Sequence, residues 1–362
     1  MSLERIAIVG TVGIPGNYGG FETLAQNLTD FYESITKNGV LTVYCSSKAF
    51  IEQPDYYGRT RLYYIRLDAN GVQSIIYDVV CLLHAIRGGN HRILLLGVSG
   101  ALFLPLVRLF ARARIVTNID GLEWKREKWN WFAKVFLRAS EWAAVRFSHQ
   151  VIADNQSIAE YVTETYRVPC NVIAYGGDHA VAARPDELAT KDLPSEYALA
   201  LCRIEPENNV EMILKAFTEL DTRLVFVGNW DNSEYGRYLK SNYSTHPNII
   251  ICNPTYGRRA LRAIRGQASI YIHGHSAGGT NPSLVEMMHF GIPVLAHGCS
   301  FNRNSTEGKA RYFQSSTELA EQLRSLSSVD ADQIGSDMLE IAQREYTWEK
   351  IGKAYFELLD RA

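Results

Sequence analysis

Short runs rich in Val, Ile and Leu alternate with helical segments along the whole chain, and this alternation constrains the fold more than any other feature. In the first half the runs are Arg5–Thr11, Leu41–Ser47, Arg61–Leu67, Arg92–Val98, Arg114–Asp120, His149–Asn155 and Asn171–Gly177. The second half repeats the scheme with Tyr197–Arg203, Thr222–Gly228, Asn248–Asn253, Ala268–Gly274 and Ile292–Gly298. Their near-continuous apolar content, without strict polar alternation, suits strands covered on both faces, as in parallel sheets. Strands separated by helices then imply right-handed βαβ crossovers. A chain of 362 residues exceeds what one hydrophobic core usually serves. The expectation is two doubly wound α/β domains facing across a cleft: residues 1–178, joined by a C-terminal helix over 346–362, and residues 179–345. Gly176 to Ser195, with paired glycines, Pro185 and Pro194, reads as the linker. Trp348, Ile351, Tyr355, Phe356 and Leu359 recur at helical spacing, which predicts an amphipathic closing helix.

Composition removes several functional classes. Hydrophobic residues make up 46% and charged residues 21%, so the chain is not of the disordered type. A net charge of -2 argues against wholesale nucleic-acid binding. The six cysteines include no CxxC pair and read as buried free thiols of a reducing cytosol. Met1 to Arg5 leads directly into a strand, so no signal peptide is expected. No apolar run reaches the roughly twenty residues that span a bilayer, so any membrane contact is expected to be peripheral, at the inner face of the cytoplasmic membrane. Trp124 to Arg138 interleaves Trp and Phe with Lys and Arg, a pattern that suits a lipid headgroup region. It equally suits an amphipathic core helix with a solvated face.

Two glycine-rich loops carry the chemistry. The first strand runs into Gly10-Thr11-Val12-Gly13-Ile14-Pro15-Gly16-Asn17-Tyr18-Gly19-Gly20-Phe21-Glu22, with a helix following from about Glu22. Glycines admit a ligand close to the backbone, and a helix N-terminus offers amides to an anion, so Gly13 and Gly16 are candidates for binding a diphosphate. A dinucleotide site is the alternative, but the spacing departs from GxGxxG and strand two ends Tyr44-Cys45-Ser46-Ser47, without the acidic residue such a site uses. A purely structural loop is the third reading.

In the second half, Arg203 ends a strand, where its guanidinium can clamp phosphate oxygens or pair with Glu205 or Glu207. The segment from His273 through Gly278-Gly279-Thr280-Asn281-Pro282-Ser283 to Glu286 reads as strand, glycine loop and helix. Amides at the helix start suit a diphosphate, and Glu286 is placed to grip ribose hydroxyls. His273 and His275 lack a third ligand, so core or hydrogen-bonding roles are expected and no metal site. Asp330-Ala331-Asp332 reads as a turn or helix cap.

These motifs resemble family-four retaining glycosyltransferases of the GT-B fold. The second half carries the resemblance in Cys202-Arg203, Glu207-Asn208-Asn209, Glu286-Met287-Met288 and Gly291-Ile292-Pro293-Val294, and Tyr346 to Ile351 resembles the family's closing helix. The loop from Gly10 to Thr23, the stretch Asn118 to Arg126 and the Gly278 to Ser283 loop resemble a narrower subgroup that includes bacterial polysaccharide rhamnosyltransferases. The sequence departs from the pattern at Val12, Asn208 and Gly278, where the resemblance leads one to expect arginine, lysine and glutamate.

The resemblance implies transfer of a hexose or deoxyhexose, rhamnose included, from a UDP- or dTDP-linked donor to a saccharide acceptor carried on a lipid diphosphate. The anomeric configuration is retained and no cofactor or metal is needed. Donor contacts fall on Gly13, Gly16, Arg203, Asn208, Gly278, Gly279, Thr280, Asn281, Ser283 and Glu286. Acceptor contacts fall on Tyr18, Gly19, Gly20, Glu22, Asp120 and Glu123, with Arg203, Asp120 and Glu123 as the catalytic set. A GT-B epimerase, an NAD-dependent oxidoreductase and a non-catalytic sugar-nucleotide-binding protein are the rival readings.

Overall fold

The computed structural model describes residues 5–16, 19–125 and 130–362. The chain divides into two compact units, Met1–Ala174 with Trp348–Ala362, and Tyr175–Thr347.

The first unit begins β1 (Arg5–Val9), α1 (Gly20–Ile35), β2 (Val40–Ser46), β3 (Tyr56–Tyr57), β4 (Thr60–Ile65), α2 (Gln73–Arg87) and β5 (Arg92–Leu96). It continues with α3 (Leu104–Phe110), β6 (Arg114–Asn118), α4 (Trp131–Phe147), β7 (Gln150–Ala153), α5 (Gln156–Tyr166) and β8 (Asn171–Val172). The strands form one sheet in the order β3-β4-β2-β1-β5-β6-β7-β8. All pairs are parallel except β3 with β4. Ile6, Ala7, Ile8 and Val9 are buried to within 1% of full enclosure, as a strand covered on both faces requires.

The second unit contains α6 (His179–Ala182), β9 (Ala198–Leu201), α7 (Val210–Phe217), β10 (Leu224–Val227), α8 (Glu234–Tyr243), β11 (Ile249–Cys252) and α9 (Arg258–Gln267). It continues through β12 (Ile270–His273), α10 (Pro282–Met288), β13 (Val294–His297), α11 (Ser300–Ser305), β14 (Arg311–Phe313), α12 (Ser316–Arg324) and α13 (Ser328–Glu345). Its sheet is parallel throughout, in the order β11-β10-β9-β12-β13-β14. One core cluster gathers Phe226, Ile272, Leu295 and Phe313 of that sheet with Phe217 of α7 and Trp230.

The last helix, α14 (Trp348–Arg361), returns to the first unit. Its Phe356 ring lies 4.9 Å from Tyr32 and 6.1 Å from Phe31 of α1, centroid to centroid. The buried face is the one predicted from spacing: Trp348, Ile351, Tyr355, Phe356 and Leu359.

Several expectations are corrected. The two short strands β3 and β14 have no counterpart among the sequence-predicted runs; two or three residues are too few to show a period. The stretch read as a linker is built into the second unit: α6 forms there, and the Gly177 amide donates to the Tyr346 carbonyl at 2.7 Å. All six cysteines are free, but only Cys45 and Cys81 are fully buried; the other four are half-buried. Asp330 lies in the first turn of α13, where its amide donates to the Ser327 cap and its carboxylate pairs with Arg311 at 2.8 Å.

Candidate functional site

In each sheet the chain starts at an inner strand and extends outward on both sides of it. Ligands of open α/β sheets bind at such switch points, beyond the carboxyl ends of the strands. In the first unit the switch lies between β1 and β5, and the first glycine loop follows β1. In the second it lies between β9 and β12. Arg203 follows the first of these strands and the second glycine loop follows the other. Sequence order separates these two segments by about seventy residues; sheet order makes them neighbours.

The second-unit loops are joined directly. Ser276 donates to the Glu207 carbonyl through its amide at 3.0 Å and its hydroxyl at 2.8 Å. Asn209 Nδ2 donates to the Gly274 carbonyl at 2.8 Å. Arg203 stands two residues beyond the end of β9, its side chain 44% exposed and 3.9 Å from Glu205. Gly278 has φ 117° and open space where a Cβ would stand, so the backbone is approachable from that side. Gly279 and Thr280 follow it into the cap of α10. Together these place an exposed guanidinium and a glycine loop at one strand edge, an arrangement that can receive a diphosphate.

The neighbouring side chains predicted to touch the donor have internal partners in this structure. Asn208, buried, donates to the Arg203 carbonyl at 2.7 Å and so shapes the Arg203 loop. Asn281 caps α10: its Oδ1 accepts from the Ser283 amide at 3.0 Å and the Ser283 hydroxyl at 2.7 Å. The Ser283 hydroxyl also lies 3.0 Å from Tyr271 Oη. Glu286 is buried, with one carboxylate oxygen against Arg265 Nη2 and the other 3.1 Å from His179 Nε2. Burial pushes its carboxyl upward, but Arg265 and then His179 outweigh that and hold it below the usual carboxylate range. In this structure its two oxygens are therefore held by Arg265 and by the His179 ring. Arg265 and His179 were not anticipated.

His273 is buried and stacks on His275 at 4.4 Å. Burial, reinforced by His275 and His297, holds its pKa well below the ordinary value, so the ring is neutral. Among the described residues no group of His, Cys, Asp and Glu has the arrangement of a metal site.

The first loop differs in kind. Glu22 Oε1 accepts the Val12 amide at 2.8 Å and the Thr11 hydroxyl at 3.0 Å. The Gly16 amide donates to Gln26 at 2.9 Å and the Gly13 amide to Thr11 Oγ1 at 3.3 Å. Tyr77 and the Ser46 amide hold the Thr11 and Val12 carbonyls at 3.0 and 2.8 Å. A Cβ on Gly13 would stand 2.7 Å from Cys45 Sγ, so this glycine permits packing rather than ligand approach. The amides of Gly13 and Gly16, expected to bind a diphosphate, donate here to Thr11 Oγ1 and Gln26, and the Glu22 carboxylate accepts from the same loop. Glu22, expected to touch the acceptor, accepts from its own loop through Oε1. Gly19 and Gly20 lead into α1, and Tyr18 lies outside the described residues.

Beyond the loop, an open pocket of about 330 Å³ is lined by Val12, Ser46, Lys48, Asp68, Asn70 and Gln73. Lys48 Nζ bridges Asp68 at 2.8 Å and Gln73 at 3.1 Å. Asp120 and Glu123 follow β6. Asp120 has φ 60°, and its amide donates to Asn118 Oδ1 at 2.8 Å. Asn118 Nδ2 in turn donates to Tyr355 Oη of α14 at 2.6 Å. Asp154, buried at the end of β7, joins Asp120 near that phenol. Asp154 was missed because it closes an apolar strand with no motif around it.

The architecture is that of GT-B glycosyltransferases, two parallel-sheet Rossmann-like units with the closing helix assigned to the first. Residues 187–329 match the family model described as glycosyl transferases group 1, and residues 3–178 match one described as a domain of unknown function (DUF1972). No curated protein matches the sequence. Among solved structures, sucrose-phosphate synthase from Thermosynechococcus elongatus superposes with a TM-score of 0.79 at 15% identity, covering 99% of this chain and 98% of its own. HepE of Anabaena, solved in complex with UDP-glucose, gives 0.73 at 14% identity over 99% and 100%. The trehalose-6-phosphate synthase OtsA gives 0.73 at 10% identity over 99% of each chain. At these identities the likeness establishes the fold.

Proposed function

We propose that the chain is a retaining glycosyltransferase that moves a hexose or deoxyhexose, rhamnose being the sugar the subgroup resemblance favours, from a UDP- or dTDP-sugar to a saccharide acceptor. The acceptor is a sugar on a lipid diphosphate in bacterial surface polysaccharide assembly, reached from the cytoplasmic face of the membrane. One observation supports the reading: the loops that follow β9 and β12, which carry Arg203 and Gly278–Thr280, are joined at the switch point of the second unit by the Ser276 hydrogen bonds to the Glu207 carbonyl, in the segment that matches the glycosyl transferases group 1 family.

In such a transfer, negative charge grows on the departing diphosphate while the anomeric carbon becomes cation-like. Arg203 and the amides of Gly278, Gly279 and Thr280 stabilise that charge. Asp120 and Glu123, with Asp154 behind them, hold the acceptor hydroxyl in the first unit, and the pocket beside Val12 receives the rest of the acceptor sugar. No metal is assigned a role, because guanidinium and amides supply the positive field.

The test is incubation with a panel of UDP-, dTDP- and GDP-sugars and a lipid-diphosphate-linked sugar, with and without EDTA. Release of nucleoside diphosphate and a product heavier by one sugar are expected, insensitive to EDTA. Nucleotide-sugar binding with neither release nor product would remove the transferase reading and leave a binding protein.

A further inference from the structure

The face formed by α3 and α4 combines two properties. It is apolar where a soluble protein is ordinarily polar, and its exposed charges are all of one sign. Helix α3 buries Leu104 and Val107 and turns Leu106, Leu109 and Phe110 outward; Leu102, one turn earlier, is also exposed. Helix α4 packs beside it and buries Ser140, Ala143, Ala144 and Val145. It leaves Trp131, Phe132, Val135 and Trp142 exposed. Leu109 and Phe110 at the end of α3, and Trp131 and Phe132 at the start of α4, are each 70–80% exposed, two adjacent pairs of large apolar side chains of a kind that protein surfaces rarely present.

Between Leu102 and Arg114 the chain carries Arg108, Arg112 and Arg114 and no acidic residue. Helix α4 adds Lys134, Arg138 and Arg146. Its one acid, Glu141, is buried and accepts from Trp124, Tyr161 and Tyr166. The whole chain has 37 basic and 39 acidic residues, so this one-sided charge is a property of the face.

We infer that this face docks on an anionic bilayer. Lipid-facing surfaces combine apolar side chains that enter the acyl boundary with cations at headgroup level. A second copy of the chain would set these arginines against one another, so charge disfavours a self-dimer. The aromatic rings can stack on bases, but Leu102, Leu106, Leu109 and Val135 beside them offer nucleotides neither stacking nor hydrogen bonds, whereas acyl chains take both kinds of side chain, so a bilayer accounts for more of the face than a nucleic acid does. No helix among the described residues is long and apolar enough to cross a membrane, which leaves surface docking. The structure also relocates the membrane segment suggested by the sequence. Trp124 is held by Glu141 at 3.1 Å and by Arg138 over its ring, Arg126 to Trp129 lie outside the described residues, and α3 supplies the other half of the face. The inference rests on the membrane part of the proposed function and gives it an address.

Full-length protein is co-sedimented with vesicles of phosphatidylcholine alone and with about one third phosphatidylglycerol. Binding to the anionic vesicles, weakened by salt, is expected, with a blue shift of tryptophan emission. Two variants divide the causes: Leu109→Ser/Phe110→Ser/Trp131→Ser/Phe132→Ser, and Arg108→Ser/Arg112→Ser/Arg146→Ser. Each should reduce partitioning roughly tenfold or more, while circular dichroism and nucleotide-sugar binding stay as in the wild type. Equal pelleting with both vesicle types, unchanged partitioning in both variants, or a dimer by sedimentation velocity that only the apolar variant dissociates would each overturn the inference. Vesicle binding is read without sugar turnover, so docking without transfer would count against the transferase reading alone.

Discussion

The carboxylate of Glu22 accepts the backbone amide of Val12 at 2.8 Å. With the Thr11 hydroxyl on the same oxygen, a loop that looks built for a phosphate is already neutralised from within. Glu22→Ala should therefore lower unfolding stability by about 2–3 kcal/mol, the scale of a lost hydrogen bond to a charged group, in a urea titration. Transfer should slow, whereas UDP binding measured by calorimetry should not change if the donor site is the one proposed in the second unit. Weakened UDP binding would return the first loop to the donor site.

Arg203 is half exposed and its ion pair to Glu205 is long at 3.9 Å, so its removal should have little structural cost. Arg203→Ala should reduce nucleoside-diphosphate release by about 10²–10³-fold with the thermal midpoint unchanged. Undiminished turnover would take Arg203 out of the mechanism.

Glu286 sits between Arg265 and His179 with its carboxyl held below the ordinary range. A depressed acid adds stability above its unfolded value, near 4.3, and that stability disappears as pH falls through the folded value. Glu286→Gln should cost about 3–5 kcal/mol at neutral pH by leaving the buried Arg265 guanidinium uncompensated. It should also flatten the acid limb of a stability profile taken below about pH 4.5.

Asp78 of α2 behaves oppositely. Burial raises its carboxyl to about 8, with a hydrogen bond from the Gly100 backbone opposing the rise only in part. The folded state keeps a proton that the unfolded chain releases near 3.9, so this residue's contribution declines as pH climbs from about 4 through about 8. Asp78→Asn should remove that decline. Guanidinium unfolding at several pH values would show the variant gaining on the wild type toward alkaline pH.

Tyr355 of the closing helix meets Asn118 across 237 residues of sequence at 2.6 Å. Tyr355→Phe would leave a fully buried amide group without its partner, costing about 1–3 kcal/mol. Asn118 also holds the Asp120 amide, so the acceptor KM should rise more than kcat falls. Equal stability of the two proteins would show the contact to be incidental.

Much of the fold was legible because burial on both faces of a parallel strand leaves a local mark. The Val, Ile and Leu runs named β1, β2 and β9 through β13, and the spacing from Trp348 to Leu359 named the buried face of α14. Arg203 and the second glycine loop were legible for a related reason: residues just past a strand's carboxyl end lie at the ligand edge whatever the neighbouring strands. The partners of polar side chains left no such mark. Arg265 follows Arg258, Arg259 and Arg262 along α9 and reads like one more solvated arginine, yet it is 7% exposed and holds Glu286. Glu22 reads like a first-turn helix acid and proves to be the clasp of its own loop. Sequence by itself determined the strand order in time, the α/β class and the strand-end chemistry, since each depends on residues near one another in the chain. Only tertiary structure decided which carboxylates and amides were already spent and that α3 and α4 share one basic, apolar face. Hydrogen bonds and surfaces are made between segments whose meeting no local pattern encodes.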